Sequence, residues 1–267
     1  MKYHPFVMER WQSTYEHRVR FNLSESGVHP LSVTELLSLA DLSPDTLDVR
    51  LGYGQSNGSD ALRNLIADLY TGASEASVLV TTGGAEANFT AFWELMEPGA
   101  SVAVMLPNYM QIPGLLESFG VNIRPFHLVE ENSWQPDLDE LEKGLRDGAR
   151  FILITNPNNP TGDVLISRED LVPLLEEFPE ATFWLDEAYI QYIDPEEHAP
   201  LSDLVPHHPN LVVSRTFSFA YGLAGVRMGY LLARPEWIQE FASKVTDYSF
   251  GTLQESLAIA ALEDAEH

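Results

Sequence analysis

Apolar, β-rich runs alternate along this chain with segments whose apolar residues recur at helical spacing. The runs Val78–Thr82, Ser101–Leu106, Asn122–His127, Phe151–Thr155, Thr182–Leu185, Leu211–Thr216 and Met228–Leu232 predict strands. The segments Asp60–Tyr70, Glu86–Leu95, Ile112–Phe119, Leu138–Leu145, Arg168–Glu177 and Pro235–Lys244 predict the helices between them. Alternation of this kind builds βαβ units. It predicts an α/β fold with a mostly parallel, seven-stranded sheet sandwiched by helices. Residues 1–50 break the rhythm: apart from a short helix near Val33–Leu39 they read as extended or irregular, an arm rather than a core unit. Residues 51–250 form the large domain. Residues 251–267 begin a further region, with a helix over Leu253–Leu262 and an acidic tail.

In open α/β sheets ligands sit beyond the carboxyl ends of the strands, so the residues that follow each strand are where chemistry is sought. After the first strand comes Thr81-Thr82-Gly83-Gly84-Ala85-Glu86. Two glycines at a strand-to-helix turn let the backbone approach a phosphate, and a helix N-terminus offers free N–H groups and the positive end of a dipole. A Gly-Gly turn kept only for packing reads equally well. After Phe151–Thr155 comes Asn156-Pro157-Asn158-Asn159-Pro160-Thr161-Gly162, a rigid turn. After Thr182–Leu185 comes Asp186-Glu187-Ala188-Tyr189. An acid at a strand end is costly if buried and unpaired, and it calls for a cation. The stretch from Ser214 to Tyr230 carries Thr216, Ser218 and Arg227, and hydroxyls with an arginine make a good dianion site.

Composition narrows the field. Forty acidic residues stand against 15 basic ones, a formal charge of −25, which disfavours nucleic acid and anionic membranes as partners. The excess is spread along the chain. It reads as a solvated surface or as adaptation to high salt, and composition does not separate the two. There are no cysteines, so disulfides and thiolate chemistry are excluded and a cytoplasmic location is the default. No apolar run reaches the length of a membrane span, and no histidine spacing suggests a metal site.

Taken in order, these four motifs resemble those of the class I and II aminotransferases, the fold-type-I enzymes dependent on pyridoxal 5′-phosphate (PLP), and the last motif resembles the histidinol-phosphate aminotransferase branch. The resemblance runs from about Asp48 to Leu232. It implies a PLP-binding large domain and amino-group transfer between an amino acid and a 2-oxo acid. Carried over by position, the amides of Gly84 and Ala85, with Ser218, Arg227 and Thr216, would hold the cofactor phosphate. Tyr53 would reach the phosphate of a neighbouring subunit, which implies a homodimer with shared sites. Tyr109 would stack on the pyridine ring, Asn159 and Tyr189 would bond its hydroxyl, and Asp186 would pair with its nitrogen, keeping it protonated.

The chain departs from the family in two places. The position of the cofactor-bearing lysine, eight residues before Arg227, is Phe219, which can neither hold the cofactor covalently nor carry a proton. The C-terminal small domain of the family, with its carboxylate-gripping arginine, is largely missing from the 267 residues. The expectations are therefore non-covalent cofactor binding, if any, no catalytic lysine, and little or no transamination. The alternatives are a degenerate homologue with a binding, dimerising or regulatory role, or different chemistry in an inherited pocket.

Overall fold

Eight strands lie in one sheet in the computed structural model, which describes residues 6–263. The acidic tail expected at 264–267 falls outside the described residues. In chain order the strands are β1 (Val78–Thr81), β2 (Ser101–Leu106), β3 (Asn122–Val129), β4 (Gln135–Pro136), β5 (Phe151–Thr155), β6 (Thr182–Asp186), β7 (Leu211–Thr216) and β8 (Gly229–Leu232). Across the sheet they run β1-β8-β7-β6-β5-β2-β3-β4. The pairs of β3 with β2, β2 with β5, β5 with β6 and β6 with β7 are parallel. The pairs made by β8 with β1 and β7, and by β4 with β3, are antiparallel.

The sheet is thus mostly parallel, but it has eight strands, not the expected seven. The extra one, β4, is two residues long and includes a proline, so it carries no period-two signal. It exists because the chain turns back on the end of β3, pairing Leu128 with Pro136. The reversal of β8 has a similar cause. Residues 217–228 return from β7 through a short turn without a crossover helix, and such a return places the next strand antiparallel.

The helices are α1 (Val7–Tyr15), α2 (Val33–Leu39), α3 (Asp60–Ala67), α4 (Gly83–Leu95), α5 (Gln111–Phe119), α6 (Leu138–Arg146), α7 (Arg168–Glu177), α8 (Pro235–Ala242) and α9 (Thr252–Glu263). Alternate strand residues feed two cores, one on each face of the sheet. Val78 and Val80, Ala103 and Met105, Ile152 and Ile154, and Phe183 and Leu185 point into the core that α3, α6, α7 and α9 cover. Leu79, Val102, Val104, Leu153, Trp184, Val212 and Leu231 point into the other, under α4, α5 and α8. Both faces are apolar, which is why the strands read as continuous apolar runs. Leu257, Ala258, Ala260 and Ala261 of α9 join the first core, and its buried Glu255 accepts the Ser59 amide at 2.6 Å. The helix following residue 250 therefore packs as part of the sheet domain.

Local chemistry sets the ends of the helices. Ser32 with Glu35 and Ser167 with Asp170 close capping boxes at the starts of α2 and α7. Gly120, at φ +79°, ends α5. Two differences from expectation bear on the site. Helix α4 starts at Gly83 rather than Glu86, so both glycines lie in its first turn despite their poor helix propensity. The arm contains α1, which has no side-chain cap and buries none of its residues fully, so it left no strong mark in the pattern. Among the described residues no helix is long and apolar enough to cross a membrane.

Candidate active site

The carboxyl ends of β5, β6 and β7, the N-terminus of α4 and the loop after β2 surround a cavity of about 430 Å³. Gly84, Ala85, Tyr109, Asn159, Asp186, Tyr189, Thr216, Ser218 and Arg227 all line it, and so does Phe219. Tyr53 does not. That residue is 87% exposed, and its ring packs on Tyr248, with centroids 4.7 Å apart.

One end of the cavity is built for an anion. Gly83 takes φ +76°, and a Cβ there would meet Arg227 Nη2 at 2.6 Å, so only glycine lets the guanidinium lie against the first turn of α4. Arg227 itself sits at φ +58° and donates from Nη1 to Ala224 O at 2.8 Å and to Ser218 Oγ at 3.4 Å. The Thr216 hydroxyl donates to Ser218 Oγ at 2.9 Å, and the Ser218 amide donates back to Thr216 Oγ1 at 3.1 Å. A guanidinium, two hydroxyls and the free N–H groups of a helix start converge there.

Gly229 supports this end from below. A Cβ on it would stand 2.6 Å from Gly83 C and Gly84 N and 2.8 Å from Arg215 O, all backbone atoms. We expect Gly229→Ala to push α4 off β8 and cost about 1–3 kcal/mol or more, as overpacking does. A urea midpoint equal to that of the unaltered chain would show that the two backbones can separate freely.

The other end is built around Asp186. It is 7% exposed, and its carboxylate accepts Asn88 Nδ2 at 2.8 Å and the Ala188 amide at 3.1 Å. Among the described residues it has no ion-pair partner. Burial pushes its pKa up, against the pull of these two hydrogen bonds. Tyr189 accepts Asn159 Nδ2 at 3.2 Å on its hydroxyl, which also meets Ser26 Oγ at 3.1 Å. Its ring stacks on Phe219, with centroids 4.5 Å apart and planes 23° from parallel. Tyr109 is met edge-on by Phe6, at 5.1 Å between centroids. Burial, followed by repulsion from Glu9, pushes the Tyr109 hydroxyl well above its usual pKa.

Several lining residues were not among the expected site residues. Asn88 is a polar position one turn into α4 with apolar Ala87 and Ala91 beside it, a faint signal that it faces something polar. Glu9, Gln12, Glu16, Glu25 and Ser26 come from the arm, which folds back across the mouth of the cavity. The pKa of Glu9 is raised by burial and then by Glu16 and Glu25. No local pattern announces such a return of the chain.

Comparison with known proteins shows the family and the fold. The family model for aminotransferase class I and II matches residues 44–267. Capreomycidine synthase of Streptomyces vinaceus is 31% identical, over 97% of this chain and 68% of that protein. A PLP-dependent aminotransferase structure from Streptococcus suis superposes with a TM-score of 0.89 at 28% identity, covering 99% of this chain and 72% of that one. Histidinol-phosphate aminotransferase from Sinorhizobium meliloti, solved with pyridoxal 5′-phosphate, superposes with a TM-score of 0.76 at 26% identity, over 97% of this chain and 68% of that one. The chain spans about half to two thirds of the length of the curated relatives it matches.

Proposed function

The chain belongs to the class I and II aminotransferases, and on that premise we propose that its cavity is a PLP site that holds the cofactor without a covalent bond and supports little or no transamination. The observation that carries this reading is the content of one cavity: an anion cradle at Arg227, a buried carboxylate at Asp186, Phe219 and, among the described residues, no cation beside Asp186 and no lysine in the lining.

The residues fit the group chemically. Its phosphate dianion matches Arg227, Ser218, Thr216 and the amides of Gly84 and Ala85. A protonated pyridine nitrogen is the cation that Asp186 lacks, and burial strengthens such a pair. Asn159 and Tyr189 would bond the ring hydroxyl, and Tyr109 would give the ring a flat apolar partner. When bound, PLP supplies an electron-withdrawing ring that stabilises negative charge developing beside an amine.

Phe219 decides what the chain does with it. Its side chain offers no amine to hold the cofactor and no base to move a proton. Of the described lysines, Lys143 pairs with Asp147 at 2.6 Å and Lys244 with Glu94 at 3.1 Å, and neither lines the cavity. A homodimer belongs to the proposal. Tyr53, exposed here beside exposed Leu51, Tyr248 and Leu253, is where the family resemblance expects a residue donated to the partner's site. Burying that apolar rim in a second copy would remove it from water.

The test is to add PLP to the purified chain and to Phe219→Lys, record visible spectra, and dialyse. The chain as it stands should bind PLP and lose it on dialysis, whereas Phe219→Lys should keep it and gain a visible band. Turnover of an amino acid and a 2-oxo acid by the unaltered chain would overturn the reading, and so would PLP that survives dialysis there. A chain that takes up no PLP at millimolar concentration would overturn the cofactor assignment itself.

A further inference from the structure

Behind Asp186 lies a second pair of buried side chains. Asn88, from α4, is 4% exposed, and Ser214, from β7, is 1% exposed. The Ser214 hydroxyl donates to Asn88 Oδ1 at 2.7 Å, and Asn88 Nδ2 donates to Asp186 Oδ2 at 2.8 Å. The Ala188 amide holds the other oxygen at 3.1 Å. Three elements thus meet through one unbranched chain of hydrogen bonds.

The order of donors follows from the chemistry. A carboxylate accepts only, so the amide facing it must present its NH₂ group. That leaves the amide oxygen pointing at Ser214, whose hydroxyl is free to donate. If the amide were flipped, two acceptor oxygens would face each other at 2.8 Å. Each bond therefore selects the next, and a buried chain of this kind is stiffer than its links taken singly. Neither side chain is needed for packing alone, since an apolar residue would fill each place more cheaply.

We propose that Asn88, fixed in its orientation by Ser214, is a positioning residue that aims the Asp186 carboxylate and keeps it an acceptor for the cofactor's ring nitrogen. This rests on the PLP reading of the cavity. Asn88 acts through Asp186. Among the described residues the titratable groups near that carboxylate are Glu187, Tyr109 and Tyr189, and none is a cation that could do the same work.

The experiment compares Asn88→Leu, Ser214→Ala and Ser214→Thr with the unaltered chain, using PLP labelled with ¹⁵N in the ring. Affinity is read by titration and nitrogen protonation by the ¹⁵N resonance. Asn88→Leu should weaken PLP binding roughly tenfold, the scale of one hydrogen bond to a charged group, and move the resonance toward the unprotonated value. Ser214→Ala should shift both in the same direction by less, and Ser214→Thr, which keeps the hydroxyl, should restore both. A purely packing role would lower the urea midpoint and leave the resonance alone. If Asn88→Leu does not fold, the two Ser214 variants carry the comparison. Unaltered affinity and resonance in Ser214→Ala and in any folded Asn88→Leu would overturn the proposal. If the unaltered chain binds no PLP, the functional reading fails by itself. The positioning role is then judged without cofactor, by ¹³C titration of the Asp186 carboxyl. A higher pKa in the variants supports it, and an unchanged one overturns it.

Discussion

Glu187→Ala should destabilise the chain by about 3–5 kcal/mol, the usual cost of removing one partner from a buried ion pair. Glu187 is the neighbour of Asp186, but it points away from the cavity and has no exposed side-chain surface. One of its oxygens takes Arg215 Nη1 at 2.8 Å, and the other takes the amides of Leu201 at 2.7 Å and Ser202 at 3.3 Å. Arg215 is 6% exposed, lies over the Tyr70 ring and also bonds Ser202 Oγ at 3.1 Å. Tyr70 and Tyr230 close the cluster with hydroxyls 2.6 Å apart. Without Glu187 the guanidinium stays buried with no counter-charge, and two amides lose their acceptor. The double variant Glu187→Leu, Arg215→Met removes both charges at once and should recover much of the loss, because the desolvation penalty goes with them. Urea unfolding of Glu187→Leu, Arg215→Met and the double variant gives the coupling directly. Additive losses, with a double variant worse than either single one, would show that the pair is not what holds β6 and β7 in place. The site depends on this pair because Asp186 and Thr216 are the chain neighbours of its two members.

The second large effect is on binding. Arg227→Ala should weaken both PLP and inorganic phosphate by roughly 10- to 100-fold, the worth of hydrogen bonds from a charged donor. Stability should barely change, since Arg227 is exposed and, among the described residues, its side chain bonds Ala224 O and Ser218. The chain as a whole repels anions, with 40 acidic residues to 15 basic, so attraction of a dianion must come from local groups. Arg227→Lys keeps the charge and loses the planar fork, and should fall between the two. Isothermal titration with phosphate and PLP separates the cases. If all three proteins bind phosphate alike, the helix N-terminus suffices and the arginine serves another purpose.

Much of this molecule is legible without coordinates. The apolar runs at Ser101–Leu106, Phe151–Thr155 and Leu211–Thr216 match their strands residue for residue, and Arg168–Glu177 matches its helix. These elements are buried on both faces or sharply capped, so pattern and environment agree. The residues at and after the ends of β1, β2, β5, β6 and β7, from Gly84 to Arg227, come together in one cavity because strands running in one direction put their carboxyl ends on one side. Tyr53 was the exception: it lies in a single chain at a surface, and its expected role needs a second copy.

What the sequence determined by itself is the class of fold, the order of its strands along the chain and the identity of the side chains at their ends. It also determined that position 219 holds a phenylalanine and no amine. Only the tertiary structure decided that Ser214 and Asn88 stand behind Asp186, that Glu187 and Arg215 neutralise each other in the interior, and that Glu9 and Glu25 of the arm face the same cavity. The physical reason is range. Periodicity and turn chemistry act over a few residues. These contacts join positions that chain folding brings together from far apart, and a polar side chain looks the same in sequence whether it will meet water or a buried partner.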